Sequence, residues 1–381
     1  MNKPEISPPI NNQWQCLTSL PDALSAWERI ETASQKSKLD FYFHPGYIWL
    51  NRLSEKKEES TPRVFFLETP TAFFWYPLLI RKIPAKYGVK AYDATSAYGF
   101  GGPLMIPKQA SDNSQRERQD LLASFSSHWE TYCAENVIVA EFIRFHPLLE
   151  NHRDLTHCEL HQIKDVVYFD LDVQQSVLLE RLHPQKRRSL KKAGGNNLAF
   201  SNSWAHYPEF KKLYQASMCD KAADDFYHFS PTFFDELETL AQRFKTNNEQ
   251  NYRVRLNSVL HHGAVISSAI FLCAGDTVEY FLGANAAEAR DVHSSAWLLW
   301  QSALQCREEG YKRYVLGGGL SADDELFRFK KQLSPLTAPY FIGRRIFNAD
   351  AYEAIKVAYA RESMPSSCQK LQNPPLFFYR D

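Results

Sequence analysis

The chain reads SSAWLLWQSALQCREEGYKRYVLGGG from Ser294 to Gly319. Apolar residues recur at helical spacing up to Glu309 and cover most of the circumference, so we expect a helix packed on more than one side. Gly310 stands where a helix commonly ends. The β-rich run Tyr311–Leu316 follows and leads into three consecutive glycines. This stretch therefore predicts a buried helix, a tight turn and a buried strand.

Strand patterns precede this stretch, and a helix and a strand follow it. The predicted elements are a hairpin of Tyr252–Leu260 and Ala264–Cys273, a strand Thr277–Gly283, a loop Ala284–His293, a short helix Asp323–Gln332 and a last strand Tyr340–Ile346. The first half of the chain shows the same order. Its elements are strands Arg63–Leu67 and Ala72–Ile80, a loop Tyr92–Leu104, a helix Ser114–Glu135 and a strand Val137–Phe142.

The recurring order predicts two domains of one architecture, mixed α/β (α+β), each a mixed twisted sheet flanked by helices. We place the first domain at residues 1–160 and the second at residues 161–381, with Val166–Leu171 as its opening strand. Residues 207–245 read as a helical insertion in the second domain. In an alternative arrangement, the final segment of the chain packs back on the first domain.

Composition narrows the class of protein. Among 381 residues, 44 Lys and Arg balance 44 Asp and Glu, which argues against a broad basic face that coats nucleic acid but leaves local patches open. The aromatic fraction of 14% suits large cores or an aromatic-lined cleft. Seven cysteines without a Cys-x-x-Cys pair predict reduced thiols and no metal site. The sequence shows neither a signal-peptide pattern nor a transmembrane segment, so we expect a cytoplasmic protein. Peripheral contact with a membrane is left open.

Three motifs carry a family resemblance. They are YGFGGP from Tyr98 to Pro103, GYKRYVLGGG from Gly310 to Gly319, and LFRFKK from Leu326 to Lys331. The order strand, strand, loop, helix, strand is that of the GNAT acyltransferase superfamily. Together with the three motifs, it resembles the Fem family of peptidoglycan aminoacyltransferases and the FemAB-like acyltransferases of polysaccharide gene clusters. The resemblance spans about residue 40 to residue 347 and implies two tandem GNAT-like domains.

The resemblance also implies a reaction, the attack of an amine on an activated acyl carbonyl. The acyl donor would be acyl-CoA or aminoacyl-tRNA, a co-substrate rather than a permanently bound cofactor, and a tRNA acceptor end is a candidate partner. The acceptor would be a small molecule or a lipid- or nucleotide-linked precursor of the cell envelope or a polysaccharide, presenting an amino sugar or peptide amine. The Phe-Lys motif of Fem enzymes, which lies at the acyl-transfer centre, maps onto Phe329 and Lys330.

The residues themselves leave alternatives open. Lys330 could stabilise an oxyanion or hold a phosphate, or it could be a solvated lysine on a helix whose buried face is Leu326, Phe329 and Leu333. His293 and Tyr280 are the further catalytic candidates, His293 as general base. The predicted substrate-binding residues are Tyr98, Gly99, Phe100, Gly101, Gly102, Lys186, Arg187, Gly317, Gly318, Gly319 and Phe329.

Each binding motif has a structural alternative. The glycines Gly317–Gly319 could admit a ligand to the backbone or simply form a tight turn, and the Lys186–Lys192 segment could bind phosphate or be a solvated helix face. The loop Arg290–Ser295 matches the superfamily's pyrophosphate loop only in Arg290 and Ser295 and has His293 where glycine is expected. This departure favours aminoacyl-tRNA or another carrier over acyl-CoA. The rival function is a non-catalytic GNAT-like protein that binds carbohydrate or nucleotide.

Overall fold

The computed structural model describes residues 13–33, 39–53, 60–108, 115–155, 158–220, 229–246, 251–321, 323–362 and 376–380. Its strands are, in chain order, β1 (Gln15–Leu17), β2 (Ser60–Glu68), β3 (Ala72–Lys82), β4 (Tyr92–Thr95), β5 (Leu104–Pro107), β6 (Ile138–Arg144), β7 (Glu159–Asp170), β8 (Leu198–Ser201), β9 (Tyr252–His261), β10 (Ala264–Ala274), β11 (Thr277–Asn285), β12 (Arg313–Gly317) and β13 (Thr337–Ile346). Its helices are α1 (Leu20–Ala33), α2 (Pro45–Asn51), α3 (Gln115–Glu135), α4 (Gln175–Arg181), α5 (Pro184–Gly194), α6 (Tyr207–Asp220), α7 (Pro231–Thr246), α8 (Ser294–Glu308), α9 (Glu325–Lys331) and α10 (Ala349–Glu362).

The chain divides into two compact units. The first unit comprises residues 1–35, 57–161 and 342–381, and the second comprises residues 36–56 and 162–341. The division differs from two successive domains of residues 1–160 and 161–381, because each unit includes a segment from elsewhere in the chain. In the second unit, the ring of His44 packs on Phe244 and Tyr252. In the first, Tyr352 and Ile355 of α10 are buried in one cluster with Val139.

The first unit is built on a mixed sheet. Its strands follow the order β1-β2-β3-β4-β6, residues 342–346 of β13 add to β6, and β5 pairs with β3. The pairing is antiparallel except between β4 and β6. Residues 72–81 of β3 are all buried, as expected for a strand covered on both faces. On one face Trp129 of α3 contacts Phe65 edge-on, with 4.9 Å between ring centroids.

The second unit has its own mixed sheet, in the order β7-β12-β11-β10-β9-β8. Here β11 and β12 are parallel neighbours, while the other pairs are antiparallel. Helix α8 buries Leu298, Leu299 and Trp300 in the core of this unit. The hairpin, the third strand and the helix that ends before Gly310 were all predicted from sequence and are confirmed. The fold class, mixed sheets flanked by helices, is confirmed as well.

Other elements differ from the prediction. The expected loop of residues 92–104 begins with strand β4, which completes the parallel pair with β6. The helical insertion consists of two helices, α6 and α7. Helices α1, α2 and α10 were not predicted, since α2 has only seven residues and α10 mixes charged residues into its apolar pattern.

Candidate functional site

The turn that follows β12 is placed by its pairing with β7. These strands run antiparallel, with Tyr314 opposite Phe169 and Gly317 opposite Val167. A bulge falls between Val315 and Gly317, and Gly317 has a φ of 78°, in the left-handed region that favours glycine. Because the strands are antiparallel, the residues just before Val167 run beside the residues just after Gly317.

The glycines of this turn make room for side chains of the protein itself. A Cβ at Gly318 would lie 3.0 Å from the carbonyl oxygen of Asp165, and a Cβ at Gly319 would overlap the carboxylate of Asp324. A Cβ at Gly317 would lie 3.4 Å from Nζ of Lys330. The predicted tight turn is therefore present, and close approach by two side chains of the same unit accounts for at least part of the glycine requirement.

Lys330 points inward from α9. Its side chain donates a hydrogen bond from Nζ to the carbonyl oxygen of Gly318 at 2.7 Å, and only 6% of the residue is exposed. The solvated-face alternative is wrong, because Phe327, Lys330 and Leu333 form the buried side of this segment while Leu326 is 42% exposed. Burial lowers the pKa of Lys330 to about 7, helped by the positive charge of Lys164 and opposed by Asp324.

Lys164 on β7 is a second lysine at the turn, and none of the sequence motifs indicated it. Its Nζ donates to the carbonyl oxygen of Gly319 at 2.6 Å. Burial lowers the pKa of Lys164, against the opposing effect of Asp324. In sequence, Lys164 lies more than 150 residues before the glycines, so only the register of β7 against β12 could have indicated it.

Tyr280 lies where two parallel strands stop pairing. The β11–β12 register ends with Glu279 opposite Val315, and Tyr280 is the next residue of β11. The ring centroid of Tyr280 is 5.6 Å from Nζ of Lys330. Burial raises the pKa of Tyr280 to about 12, so its phenol stays protonated at neutral pH and is suited to donate a hydrogen bond rather than accept a proton.

The basic segment is helical and forms α5. Nζ of Lys186 lies 4.1 Å from the ring centroid of Phe329, the residue next to Lys330. Burial lowers the pKa of Lys186. The helix contains no acidic residue, and four of its cations are exposed: Arg187, Arg188, Lys191 and Lys192. The structure thus brings Lys330, Tyr280 and the glycine turn together, and it places Lys186 against Phe329, which precedes Lys330 in the chain.

His293 lies at the start of α8, in a different set of contacts. Its φ of 59° and ψ of 26° reproduce a backbone conformation that favours glycine, although the residue carries an imidazole. The neighbouring hydroxyls of Ser267 and Ser295 each donate to Oδ1 of Asn285 at 2.7 Å. Within the part of the chain that the structure describes, no hydrogen bond, ion pair or ring contact joins His293 or Arg187 to Lys330.

The motif from Tyr98 to Gly102 belongs to the first unit. Gly99 and Gly102 have φ of 85° and 92°, and the Asn151 side chain donates to the carbonyl oxygen of Gly101 at 2.8 Å. A Cβ at Gly101 would lie 2.8 Å from Cβ of Ser96. Phe100 is buried, with its ring 5.1 Å from that of His146. The backbone conformations and close contacts give these glycines a structural role, and the ring of Phe100 is buried, so substrate binding by this motif stays a prediction.

Comparison with known proteins identifies the class. Residues 183–331 match the model of the acetyltransferase (GNAT) domain family. The crystal structure of FemX superposes with a TM-score of 0.62 at 13% identity, covering 90% of this chain and 99% of FemX. Residues 183–331 of the second unit are therefore similar to the GNAT domain family, and the chain has the fold of FemX. The predicted resemblance to Fem-like members of the GNAT superfamily is confirmed.

Two other solved structures share the fold. One is the C-terminal domain of a protein described as a lysylphosphatidylglycerol synthetase from Agrobacterium fabrum, with a TM-score of 0.51 at 13% identity over 90% of this chain and 96% of that domain. The other is a conserved protein of unknown function from Bacteroides thetaiotaomicron VPI-5482, with a TM-score of 0.53 at 10% identity over 86% and 97%. No curated protein sequence matches the chain. Among the described helices, none has the length and apolarity needed to cross a bilayer.

Proposed function

We propose that the chain is an N-acyltransferase or aminoacyltransferase that moves an activated acyl group to an amine of a cell-envelope or polysaccharide precursor. The observation that carries the proposal is Lys330, a lysine buried in the GNAT domain with its amine held at the glycine turn beside Tyr280. A lysine whose pKa is near 7 is half uncharged at neutral pH and can exchange protons with a reacting group.

The proposed reaction uses both charge states of Lys330. The acceptor amine attacks the acyl carbonyl, a C–N bond forms, and the uncharged amine of Lys330 takes the proton that the attacking nitrogen loses. The resulting ammonium stabilises the oxyanion of the tetrahedral intermediate. When the bond from carbon to the leaving sulfur or oxygen breaks, the proton passes to the leaving group, and Lys330 returns to its uncharged state. The phenol of Tyr280 is the second proposed hydrogen-bond donor at this centre.

The proposed donor carries phosphate. Lys186 beside Phe329, together with the exposed cations of α5, supports a phosphate-bearing co-substrate next to Lys330. We favour an aminoacyl-tRNA, for which Arg187 would contact the acceptor end, because His293 replaces a glycine in the loop that would hold acyl-CoA. FemX and the domain described as a lysylphosphatidylglycerol synthetase share this fold, an analogy that supports aminoacyl transfer.

The test compares Lys330→Met with Lys331→Met in the full chain. Lys331 is the exposed neighbour on α9, so this control removes the same charge at the surface. With a matched donor and acceptor, we expect Lys330→Met to lose at least about 100-fold in kcat/KM, the usual range for a positioned acid–base group, and Lys331→Met to stay within about twofold of wild type. The wild-type rate should rise with pH to a plateau above about 7, following the uncharged amine.

The donor is identified by thermal-shift panels of aminoacyl-tRNAs, CoA esters and nucleotide sugars, since a bound ligand stabilises the folded state by mass action. Unchanged transfer by Lys330→Met would show that the assigned centre is wrong. Ligand binding without transfer from any donor would favour the non-catalytic alternative. The same melting curves control for folding. The ammonium form of a buried lysine is unfavourable in the folded state, so Lys330→Met should melt at a temperature no lower than that of wild type at pH 7.

A further inference from the structure

Two lysines from distant parts of the chain bind successive carbonyl groups of one turn. Lys330 of α9 donates to Gly318, and Lys164 of β7 donates to Gly319, at 2.7 and 2.6 Å. The aliphatic part of Lys164 also lines the turn, because a Cβ at Gly318 would lie 3.2 Å from its Cδ. The two lysine side chains therefore bind one short piece of backbone, and each of them constrains its position.

We propose that Lys164 is a positioning residue for Lys330: it holds the Gly317–Gly319 turn in place and, by charge repulsion across that turn, favours the uncharged amine at Lys330. The proposal rests on the proposed function, in which Lys330 exchanges a proton with the reacting groups. It adds to that function a residue outside the motifs that the sequence indicated.

The charges around Lys330 support this assignment. Within the described part of the chain, the titratable groups that face it are Lys164 from β7, Tyr280 from β11 and Asp324 at the start of α9. Tyr280 is uncharged at neutral pH. The carboxylate of Asp324 already accepts backbone hydrogen bonds from Leu320 at 2.5 Å, Ser321 at 3.0 Å and Phe327 at 2.7 Å.

The hydrogen bonds from the backbone thus fix the carboxylate of Asp324. Its negative charge raises the pKa of Lys330, whereas the positive charge of Lys164 lowers it. Although partial burial raises the pKa of Asp324, the backbone donors and Lys164 together lower it. Removing Lys164 would leave Asp324 as the charged neighbour of Lys330, which favours the ammonium form. We expect the titration of Lys330 to move to higher pH by roughly one unit, as for loss of a nearby like charge.

The experiment follows Lys330 itself. The full chain is labelled with 13C at the Cε of lysine, and the Lys330 resonance is assigned by its absence from Lys330→Arg. Titrations by NMR then compare wild type with Lys164→Met, Lys164→Arg and Lys312→Met. Arginine keeps the charge at position 164. Lys312, a half-exposed lysine just before the start of β12, controls for the loss of one charge from the same unit.

We expect a titration midpoint near pH 7 for Lys330 in wild type, in Lys164→Arg and in Lys312→Met, and a midpoint about one unit higher in Lys164→Met. In a transfer assay, Lys164→Met should then be slowed about fivefold at pH 7 and recover towards the wild-type rate at pH 9, a pattern that general structural damage would not produce. An unchanged midpoint in folded Lys164→Met would overturn the assignment of Lys164. A wild-type midpoint near 10 would instead remove the premise of the proposed function, so the two failures are distinguishable.

Discussion

At the scale of single residues, the glycine turn shows how one sequence feature can have a structural cause beside a proposed functional one. Each glycine meets a different group: Gly317 the amine of Lys330, Gly318 the backbone at Asp165, and Gly319 the carboxylate of Asp324. Glycine is thus favoured at Gly317 by its positive φ, and at Gly318 and Gly319 by close contacts that a side chain would disturb. The two lysines that bind the carbonyl groups of this turn, and the aspartate that binds the N–H groups after it, are the charged residues around the proposed centre.

Gly319→Ala tests this crowding. The added methyl group would overlap the Asp324 carboxylate, so we expect the free energy of unfolding to fall by about 1–3 kcal/mol, as for other overpacked positions. Gly194→Ala is the control, because a Cβ at Gly194 has no neighbouring atom within 4 Å. That variant should be unchanged or up to about 1 kcal/mol more stable. Urea titrations of the three proteins measure the difference, and equal midpoints for both variants would contradict the crowding.

At the scale of elements, α9 is a short helix whose direction decides the proposed site. It spans only seven residues, so its position depends on its cap and on the buried Phe327 more than on helix propensity. Asp324 caps its first turn and at the same time binds the N–H groups of Leu320 and Ser321. One carboxylate therefore connects the glycine turn to the helix that carries Lys330.

Asp324→Ala should disrupt this connection. Loss of the cap alone costs about 1–2 kcal/mol of stability, and the amine of Lys330 also loses a neighbouring negative charge, so its titration should move to lower pH. Asp323→Ala, at the exposed preceding residue, is the matched control and should change neither quantity. Thermal or urea unfolding and the Lys330 titration are the measurements. A titration that moves upward in Asp324→Ala would contradict the electrostatic role given to Asp324.

At the scale of the whole molecule, the end of the chain is held in the first unit by a buried carboxylate. Asp93 of β4 accepts hydrogen bonds from Arg81 at 2.8 Å, Tyr379 at 3.0 Å and Arg380 at 2.6 Å. None of the Asp93 side chain is exposed, and the two arginines are less than a tenth exposed. This network holds Tyr379 and Arg380 against strands that lie almost 300 residues earlier in the chain.

Asp93→Asn removes the charge that two buried guanidinium groups share. Breaking a buried ion pair by removing one partner typically costs about 3–5 kcal/mol, and we expect a loss in that range for unfolding of the first unit. Carboxypeptidase digestion should then release the C-terminal residues faster than from wild type. Asp120→Asn, at an exposed position on α3, should match wild type in both assays. Equal digestion rates for Asp93→Asn and Asp120→Asn would refute the role of this network.

Local patterns predicted the parts of this fold that depend on local physics. The hairpins, the helix before Gly310 and the strand after it follow from apolar periodicity and from glycine at a helix end, and the structure confirms them. Helix α2 and strand β4 escaped prediction because each is short and takes its stability from its neighbours. The inward orientation of Lys330 escaped it too, since a lysine on a short amphipathic pattern ordinarily faces solvent.

The amino-acid sequence on its own determined the order of the main hairpins, helices and strands, the GNAT-like class and the motif that contains Phe329 and Lys330. These features depend on residues that are near each other in the chain, so periodicity, turn chemistry and motif spacing are enough to predict them. Tertiary structure alone decided that Lys330 is buried, that Lys164 reaches the same turn, and that side chains and backbone of the same unit occupy the space beside the glycines. The reason is physical: burial, desolvation and charge repulsion depend on strand register and packing between distant segments, which no local pattern encodes.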